Sequence, residues 1–159
     1  MIYISKINDE IANGLLLKLN YLKKNNIGIP HNSSATQNGF QTQNLCYEPE
    51  MQSELTKILS YFPFKNNFKY RWFHIIDYEQ SGFQQPHDHI KTENYSYIIY
   101  LSSCISGGET CFQLNHELQI KPEKNMIVFF PASILHWGKC TFDKKQVAVG
   151  ALIGEYKFK

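Results

Sequence analysis

The feature that most constrains the fold is a change in the character of the sequence at Phe68. From there the chain consists of short runs of β-branched and aromatic residues separated by Gly, Pro and Asn, which is typical of strands and turns. The runs are FKYRWFHIIDY, YSYIIYLS, ETCFQL, HELQIKP, NMIVFFP and QVAVGALIG, with PHDHI and ILHWGKC as further candidates. Because no helical segment separates them, the pattern predicts an antiparallel sandwich or barrel, and we expect a jelly-roll barrel.

The part of the chain before these strands has a helical and a loop-like character. Residues 8–26 open with a capping residue and acids, carry apolar residues at helical spacing and end in Lys and Asn, which predicts a helix. Residues 49–62 predict a second helix with proline in its first turn. The polar segment 30–44 predicts a long loop. We therefore expect the helices to support the barrel from outside.

Length and composition limit the remaining possibilities. A chain of 159 residues fits one domain, which we divide into helical support and loop (1–66) and a β-barrel core (67–159). A net charge of +2, with Arg71 as the only arginine, argues against nucleic-acid binding. No apolar run approaches the roughly 20 residues that span a bilayer. The four cysteines lack CxxC spacing, and we expect reduced thiols in the cytoplasm.

A metal site is indicated by the sequence QQPHDHIK at residues 84–91. In a strand, residues i and i+2 share a face, so His87 and His89 point to one side and Asp88 to the other. His136, after the run FFPASIL, is a candidate third ligand from a distant strand. Asp88 becomes a ligand instead only if a bulge rotates the strand.

Three imidazoles on one side of an ion leave three positions open, as non-haem Fe(II) oxygenases require, although those enzymes more commonly use two histidines and a carboxylate. Zn(II) with three histidines and water is the chemical alternative, and the spacing does not decide between them. We interpret His74 and His116 as structural or solvent-facing.

Several motifs in order resemble the 2-oxoglutarate- and Fe(II)-dependent oxygenases, particularly a small phage and marine bacterial branch with an HxH motif. The likeness covers about residues 38–152. It is carried by NGFQTQ, RWFHIIDYEQSGFQQPHDH and YSYIIYLS, while GGETCF and IKPEKNMIVFFPASILHWG are similar to prolyl-hydroxylase-like relatives.

This resemblance implies a double-stranded β-helix, a jelly-roll barrel of the cupin-like kind, with Fe(II) at the histidines and 2-oxoglutarate bound beside it. It implies an oxygenase that consumes O2 and hydroxylates a small-molecule or peptide substrate through an Fe(IV)-oxo species. His87 and His136 match the family's ligands directly, and His89 stands where most relatives have a carboxylate.

The resemblance also suggests residues for the cosubstrate. Tyr78 matches a tyrosine that hydrogen-bonds it, and a basic residue nine or ten positions after the last histidine would pair with its distal carboxylate. The ninth position is Lys145 and the tenth is Gln146. Strand alternation places Gln146 with small residues, a face that makes room for a ligand, so Gln146 is favoured over Lys145, with Arg71 as a reserve.

Two alternatives from other classes stay open at this point. One is a cupin-like three-histidine metalloenzyme that does not use 2-oxoglutarate. The other is a catalytically silent barrel that binds a small molecule or a partner. The sequence identifies neither the substrate nor the oligomeric state.

Overall fold

A computed structural model describes residues 1–28, 36–62, 65–89 and 92–157 of the chain. The helices are α1 (Asp9–Lys24) and α2 (Gln52–Ser60), the latter preceded by a 3-10 turn (Pro49–Met51). The strands are β1 (Tyr3–Lys6), β2 (Thr36–Gln41), β3 (Lys65–Asn66), β4 (Lys69–His87), β5 (Tyr95–Tyr100), β6 (Thr110–Gln113), β7 (Glu117–Ile120), β8 (Met126–Pro131), β9 (His136–Gly138), β10 (Lys145–Ile153) and β11 (Tyr156–Lys157).

Both predicted helices are confirmed, and their sequences explain their bounds. The Asn8 side chain caps α1 by accepting a hydrogen bond from the backbone N–H of Glu10 at 2.7 Å. Acids occupy the first turn and lysines the last, which suits the helix dipole. Apolar side chains form one buried stripe along α1: Ile11, Ala12, Leu15, Leu19 and Leu22. That stripe attaches the helix to the sheet.

Nine strands form one curled antiparallel sheet, in the order β1-β8-β5-β10-β4-β9-β6-β7, with β2 also paired to β4. Strand β4 connects the two parts of this sheet. Its first half pairs with β10, its end pairs with β9, and β2 pairs with residues on both sides of Ser81. The positive φ of 71° at Ser81 lies between those two halves, where the strand changes partners. This architecture confirms the predicted jelly-roll, double-stranded β-helix fold.

The sheet separates two apolar clusters because successive side chains alternate between its faces. The convex cluster joins both helices to the sheet through residues such as Leu19, Ile58, Phe73, Ile75 and Ala148. The concave cluster lies inside the curl and contains Ile76, Tyr78, Ile98, Tyr100, Phe112, Val128, Phe130 and Val147. Polar residues on the concave face are therefore candidates for function.

The segment before residue 67 differs from the expectation of helices and a loop alone. Strand β1 pairs with β8 and β2 pairs with β4, so this segment contributes two strands to the main sheet. The predicted loop over 30–44 is wrong for Thr36–Gln41, and its first residues lie outside the described part of the chain. Residues with a loop-like composition, such as Thr36 and Gly39, form a strand here because their backbone pairs with β4.

In the described ranges, neither helix has the length and apolar character that crossing a membrane would need.

Candidate metal centre

Three histidines from two strand ends converge on one point. His87 is the last residue of β4 and lies directly opposite His136, the first residue of β9. His89 follows two residues after the end of β4. The ring centroids are 4.2 Å apart for His87 and His136, 4.7 Å for His87 and His89, and 5.4 Å for His89 and His136. One ring nitrogen from each lies within 4.8 Å of the others, a spacing that suits a shared ion.

Hydrogen bonds fix the tautomer of two of the rings. The Nδ1 atom of His87 lies 2.7 Å from the Gln85 carbonyl oxygen, and that of His136 lies 3.0 Å from the Ile134 carbonyl oxygen. A carbonyl oxygen only accepts hydrogen bonds, so each Nδ1 carries the proton and donates it. The Nε2 lone pair is left for a metal, as is usual for metal-bound histidines.

The third ring is held by a carboxylate. The Nδ1 atom of His89 lies 3.1 Å from Oε1 of Glu93, whose side chain is fully buried. Burial raises the pKa of Glu93, whereas hydrogen bonds from Thr92 and Ser96 and the charge of Arg71 act in the opposite direction. No sequence motif drew attention to Glu93, because its contact depends on backbone hydrogen bonds from Thr92 and Glu93 to the His89 carbonyl oxygen.

All three imidazoles are held in the neutral form that binds cations. Burial lowers the pKa of His87 and of His89. Burial, reinforced by the neighbouring His87, lowers the pKa of His136 to about 3. Neutral nitrogen donors in a partly dehydrated site are suited to a divalent metal ion.

Asp88 is exposed and does not belong to this group. Within the described residues, the group with metal-ligand spacing consists of the three histidines. This placement agrees with the alternation argument that turned Asp88 outward, although β4 ends at His87 and His89 lies just beyond it.

A pocket of about 170 Å³ adjoins the three histidines. Its lining combines apolar side chains such as Ile98, Phe130 and Val149 with Trp72 and polar groups. His74 is among the lining residues, which the sequence had not indicated, and its Nδ1 atom lies 2.9 Å from the Thr42 carbonyl oxygen. Its position on β4, in step with Trp72 and Ile76 by alternation, was the available signal. His116, by contrast, is exposed between β6 and β7.

Lys145 is a buried cation on the concave face. It is 5% exposed, and its Nζ atom lies 5.5 Å from the centre of the Tyr78 ring and 6.0 Å from that of Tyr100. The ion pairs among the described residues do not include it. Burial lowers its pKa to about 8. A cation in this position is suited to an anionic ligand.

Gly138 lies next to this lysine on the strand that begins with His136. It lies two residues after His136 on β9, and a Cβ atom built on it would be 3.6 Å from Nζ of Lys145. Since a side chain here would fill the space in front of the ammonium, glycine keeps that approach open.

The residues that line the pocket do not include the four predicted cosubstrate residues, although Tyr78 and Lys145 lie on the same concave face. Gln146 is half-buried and alternates with Lys145, so it shares the face of Ala148, which packs in the convex cluster. On that face Gly150 accommodates the Tyr97 ring, which lies 2.5 Å from where its Cβ would be, so its small size reflects close packing. Arg71 is exposed and lies at the register shift between β4 and β10.

Solved structures with the same fold are found, although no protein-family model and no curated protein matches the sequence. A Pseudomonas putida prolyl-4-hydroxylase is 13% identical with a TM-score of 0.68, over 99% of this chain and 92% of that one. A Trichoplax adhaerens prolyl hydroxylase, in complex with a hypoxia inducible factor peptide fragment, is 10% identical with a TM-score of 0.74, over 96% and 83%. A viral collagen prolyl hydroxylase from Paramecium Bursaria Chlorella virus-1, in a 2OG complex, is 20% identical with a TM-score of 0.67, over 95% and 94%. The chain has the double-stranded β-helix fold of these prolyl hydroxylases, a fold it also shares with a 2OG-Fe(II) oxygenase family structure from Burkholderia pseudomallei.

Proposed function

We propose that the protein is an Fe(II)- and 2-oxoglutarate-dependent oxygenase that hydroxylates a small molecule or peptide, with residues 1–159 acting as one domain. The observation that carries this proposal is the three-histidine cluster, with two ring tautomers fixed by backbone carbonyls, at the open end of a double-stranded β-helix. The assignment to the small phage and marine bacterial branch stays a prediction.

The donor set fits Fe(II). His87, His89 and His136 would each provide one nitrogen from the same side of the ion, which leaves three coordination positions for a bidentate ligand and O2. Three neutral ligands leave the full +2 charge on the ion, and this charge favours an anionic cosubstrate.

The surroundings fit 2-oxoglutarate. We assign Lys145 as the partner of its distal carboxylate and Tyr78 as a wall of the same compartment, since the two are directly paired across β10 and β4. A dianionic cosubstrate would offset the charge of Lys145 and that of a metal ion held by the histidines, two cations that otherwise lie in an apolar interior. Gly138 leaves the path between them open.

When bound, Fe(II) and 2-oxoglutarate supply the oxidising chemistry that replaces a C–H bond with C–OH. The chain's own residues hold and shield the reacting groups. Phe130, whose ring centroid lies 4.8 Å from that of His136, and Val149 present an apolar wall that limits the access of water. Trp72, with its ring centroid 5.6 Å from that of His89, borders the place where a substrate would approach.

Anaerobic titration tests the proposal. Fe(II) added with 2-oxoglutarate should give a weak metal-to-ligand absorption band in the visible range, and a protein that binds iron without this band contradicts 2-oxoglutarate use. His136→Ala should abolish the band and metal binding, because a two-ligand site loses affinity and geometry.

The same experiment separates the alternatives. Metal binding without succinate formation under O2 would favour a cupin-like three-histidine enzyme with another substrate. Elemental analysis that finds no metal after reconstitution would favour a silent binding barrel.

A further inference from the structure

Glu93 is a buried carboxylate at the rim of the histidine cluster. It is 5% exposed, and its Oε1 atom lies 3.1 Å from Nδ1 of His89. The Thr92 hydroxyl donates a hydrogen bond to Oε2 at 2.6 Å, and the Ser96 hydroxyl donates to Oε1 at 3.5 Å. Removing a carboxylate from water is unfavourable unless its oxygens are hydrogen-bonded. These three contacts therefore make the burial of Glu93 possible.

The backbone brings this carboxylate to His89. The backbone N–H groups of Thr92 and Glu93 both donate to the His89 carbonyl oxygen, at 3.0 and 3.1 Å. A turn with this bonding places residue i+4 beside residue i. The His89 backbone N–H is itself fixed by the Ala132 carbonyl oxygen at 3.0 Å. His89 and Glu93 are therefore held together by main-chain hydrogen bonds as well as by the contact between their side chains.

We propose that Glu93 is a positioning residue that completes the metal centre: it accepts the Nδ1–H of His89 and supplies, one bond outside the coordination shell, the negative charge that three histidines lack. This inference rests on the proposed metal site. A carboxylate behind a histidine ligand orients the ring and makes its free nitrogen a stronger donor. The result is two neutral ligands and one histidine–carboxylate pair, close in charge to two histidines and a carboxylate.

The three histidines differ in a way that supports this role. His87 and His136 each donate Nδ1–H to a carbonyl oxygen two residues earlier in the chain, which is a neutral local contact. His89 alone donates to a charged group. A simple structural ion pair is the competing explanation, in which Glu93 would serve Arg71. That explanation is disfavoured because no ion pair within the described residues joins Arg71 to Glu93, and Arg71 is exposed.

The test measures metal affinity and needs no turnover. Co(II) binding by the complete protein is followed by calorimetry and by its visible absorption for wild type, Glu93→Gln, Glu93→Ala and a control, Glu54→Gln. Glu54 is a glutamate on α2 whose ion pair with Lys57, at 3.6 Å, is on the surface. Glutamine keeps an oxygen that accepts the Nδ1–H and removes the charge. We expect Glu93→Gln to weaken Co(II) binding about 10- to 100-fold and the control to leave it unchanged.

A second pair of variants distinguishes a local role from a general effect of charge. His89→Asp places a carboxylate on the metal directly, so in that background Glu93→Gln should no longer weaken Co(II) binding. If the same loss persists there, Glu93 acts at a distance and the positioning role is wrong. Equal Co(II) affinity of Glu93→Gln and wild type, with both proteins folded by circular dichroism, also overturns the inference. Absence of Co(II) binding by wild type overturns both this inference and the proposed metal site.

Discussion

Replacing Lys145 by methionine should stabilise the metal- and ligand-free protein while weakening 2-oxoglutarate binding. The ammonium lies in the concave cluster, 5% exposed, without an ion pair among the described residues. Methionine has a similar length and no charge to dehydrate. If Lys145 lowers the stability of the fold but strengthens 2-oxoglutarate binding, its role is to bind the ligand and not to stabilise the structure.

The size of the effect follows from the pKa of Lys145. Its fall from 10.5 to about 8 corresponds to a folding penalty of about 3 kcal/mol, at 1.36 kcal/mol for each tenfold change in proton affinity. Cation–π contacts with the Tyr78 and Tyr100 rings offset about 0.5–2 kcal/mol of this folding penalty. A net gain of about 1–3 kcal/mol is therefore expected for Lys145→Met near neutral pH.

The pH dependence has a definite sign. Below about pH 8 Lys145 is protonated in both states and the penalty is complete. As the pH rises from about 8 to 10.5, the folded protein releases this proton while the unfolded chain keeps it, so folding becomes more favourable. The advantage of Lys145→Met should therefore shrink across that range.

Urea unfolding at a series of pH values measures this advantage, with the exposed Lys121→Met as control. Calorimetry with Co(II) and 2-oxoglutarate measures binding, which should weaken by about 30-fold to several thousand-fold, the ~2–5 kcal/mol of a broken buried charge pair. Unchanged 2-oxoglutarate affinity, or a Lys145→Met protein less stable than wild type at pH 7, would refute the reasoning.

Three further substitutions test other parts of the structure. Gly138→Val should fill the space before Lys145, since a Cβ there lies 3.6 Å from Nζ, and lower 2-oxoglutarate affinity at least tenfold while Co(II) affinity is kept; calorimetry with both ligands decides. Gly150→Ala places a Cβ 2.5 Å from the Tyr97 ring and should destabilise the fold by about 1–3 kcal/mol in urea, so wild-type stability contradicts this packing. Because burial lowers the pKa of His74, the unfolded chain binds a proton below about pH 6.5 that the folded chain resists, and stability falls with acid. His74→Gln should flatten the loss between about pH 7 and 5, and identical slopes for both proteins would disprove the assignment.

The sequence predicted the fold well where local chemistry decides it. Capping at Asn8 and the apolar stripe of α1 define that helix, and the β-branched runs define the strands. It failed at β2, because a polar strand next to β4 gains its stability from backbone pairing that composition does not reveal.

The clustering of the three histidines was predictable, because alternation placed His87 and His89 on one side even though β4 ends at His87. For the partner of the cosubstrate, the sequence favoured Gln146, whereas we propose Lys145. Alternation separated Lys145 from Gln146 correctly, but small residues were taken to mark space for a ligand, whereas Gly150 marks close packing against Tyr97. Glu93 could not be found, because no residue pattern specifies the backbone hydrogen bonds from Thr92 and Glu93 that bring it to His89.

Three polar groups are buried near the histidine cluster: Lys145, which has no ion pair among the described residues, the imidazole of His136 and the carboxylate of Glu93, all at most 5% exposed. Apolar residues of similar volume would be as stable or more stable in each position. Under the proposed function each of these groups would gain a partner: His136 would hold the metal ion, Lys145 would pair with a carboxylate of the cosubstrate, and Glu93 would orient His89. The proposed metal and cosubstrate would therefore explain three separate exceptions to an apolar interior.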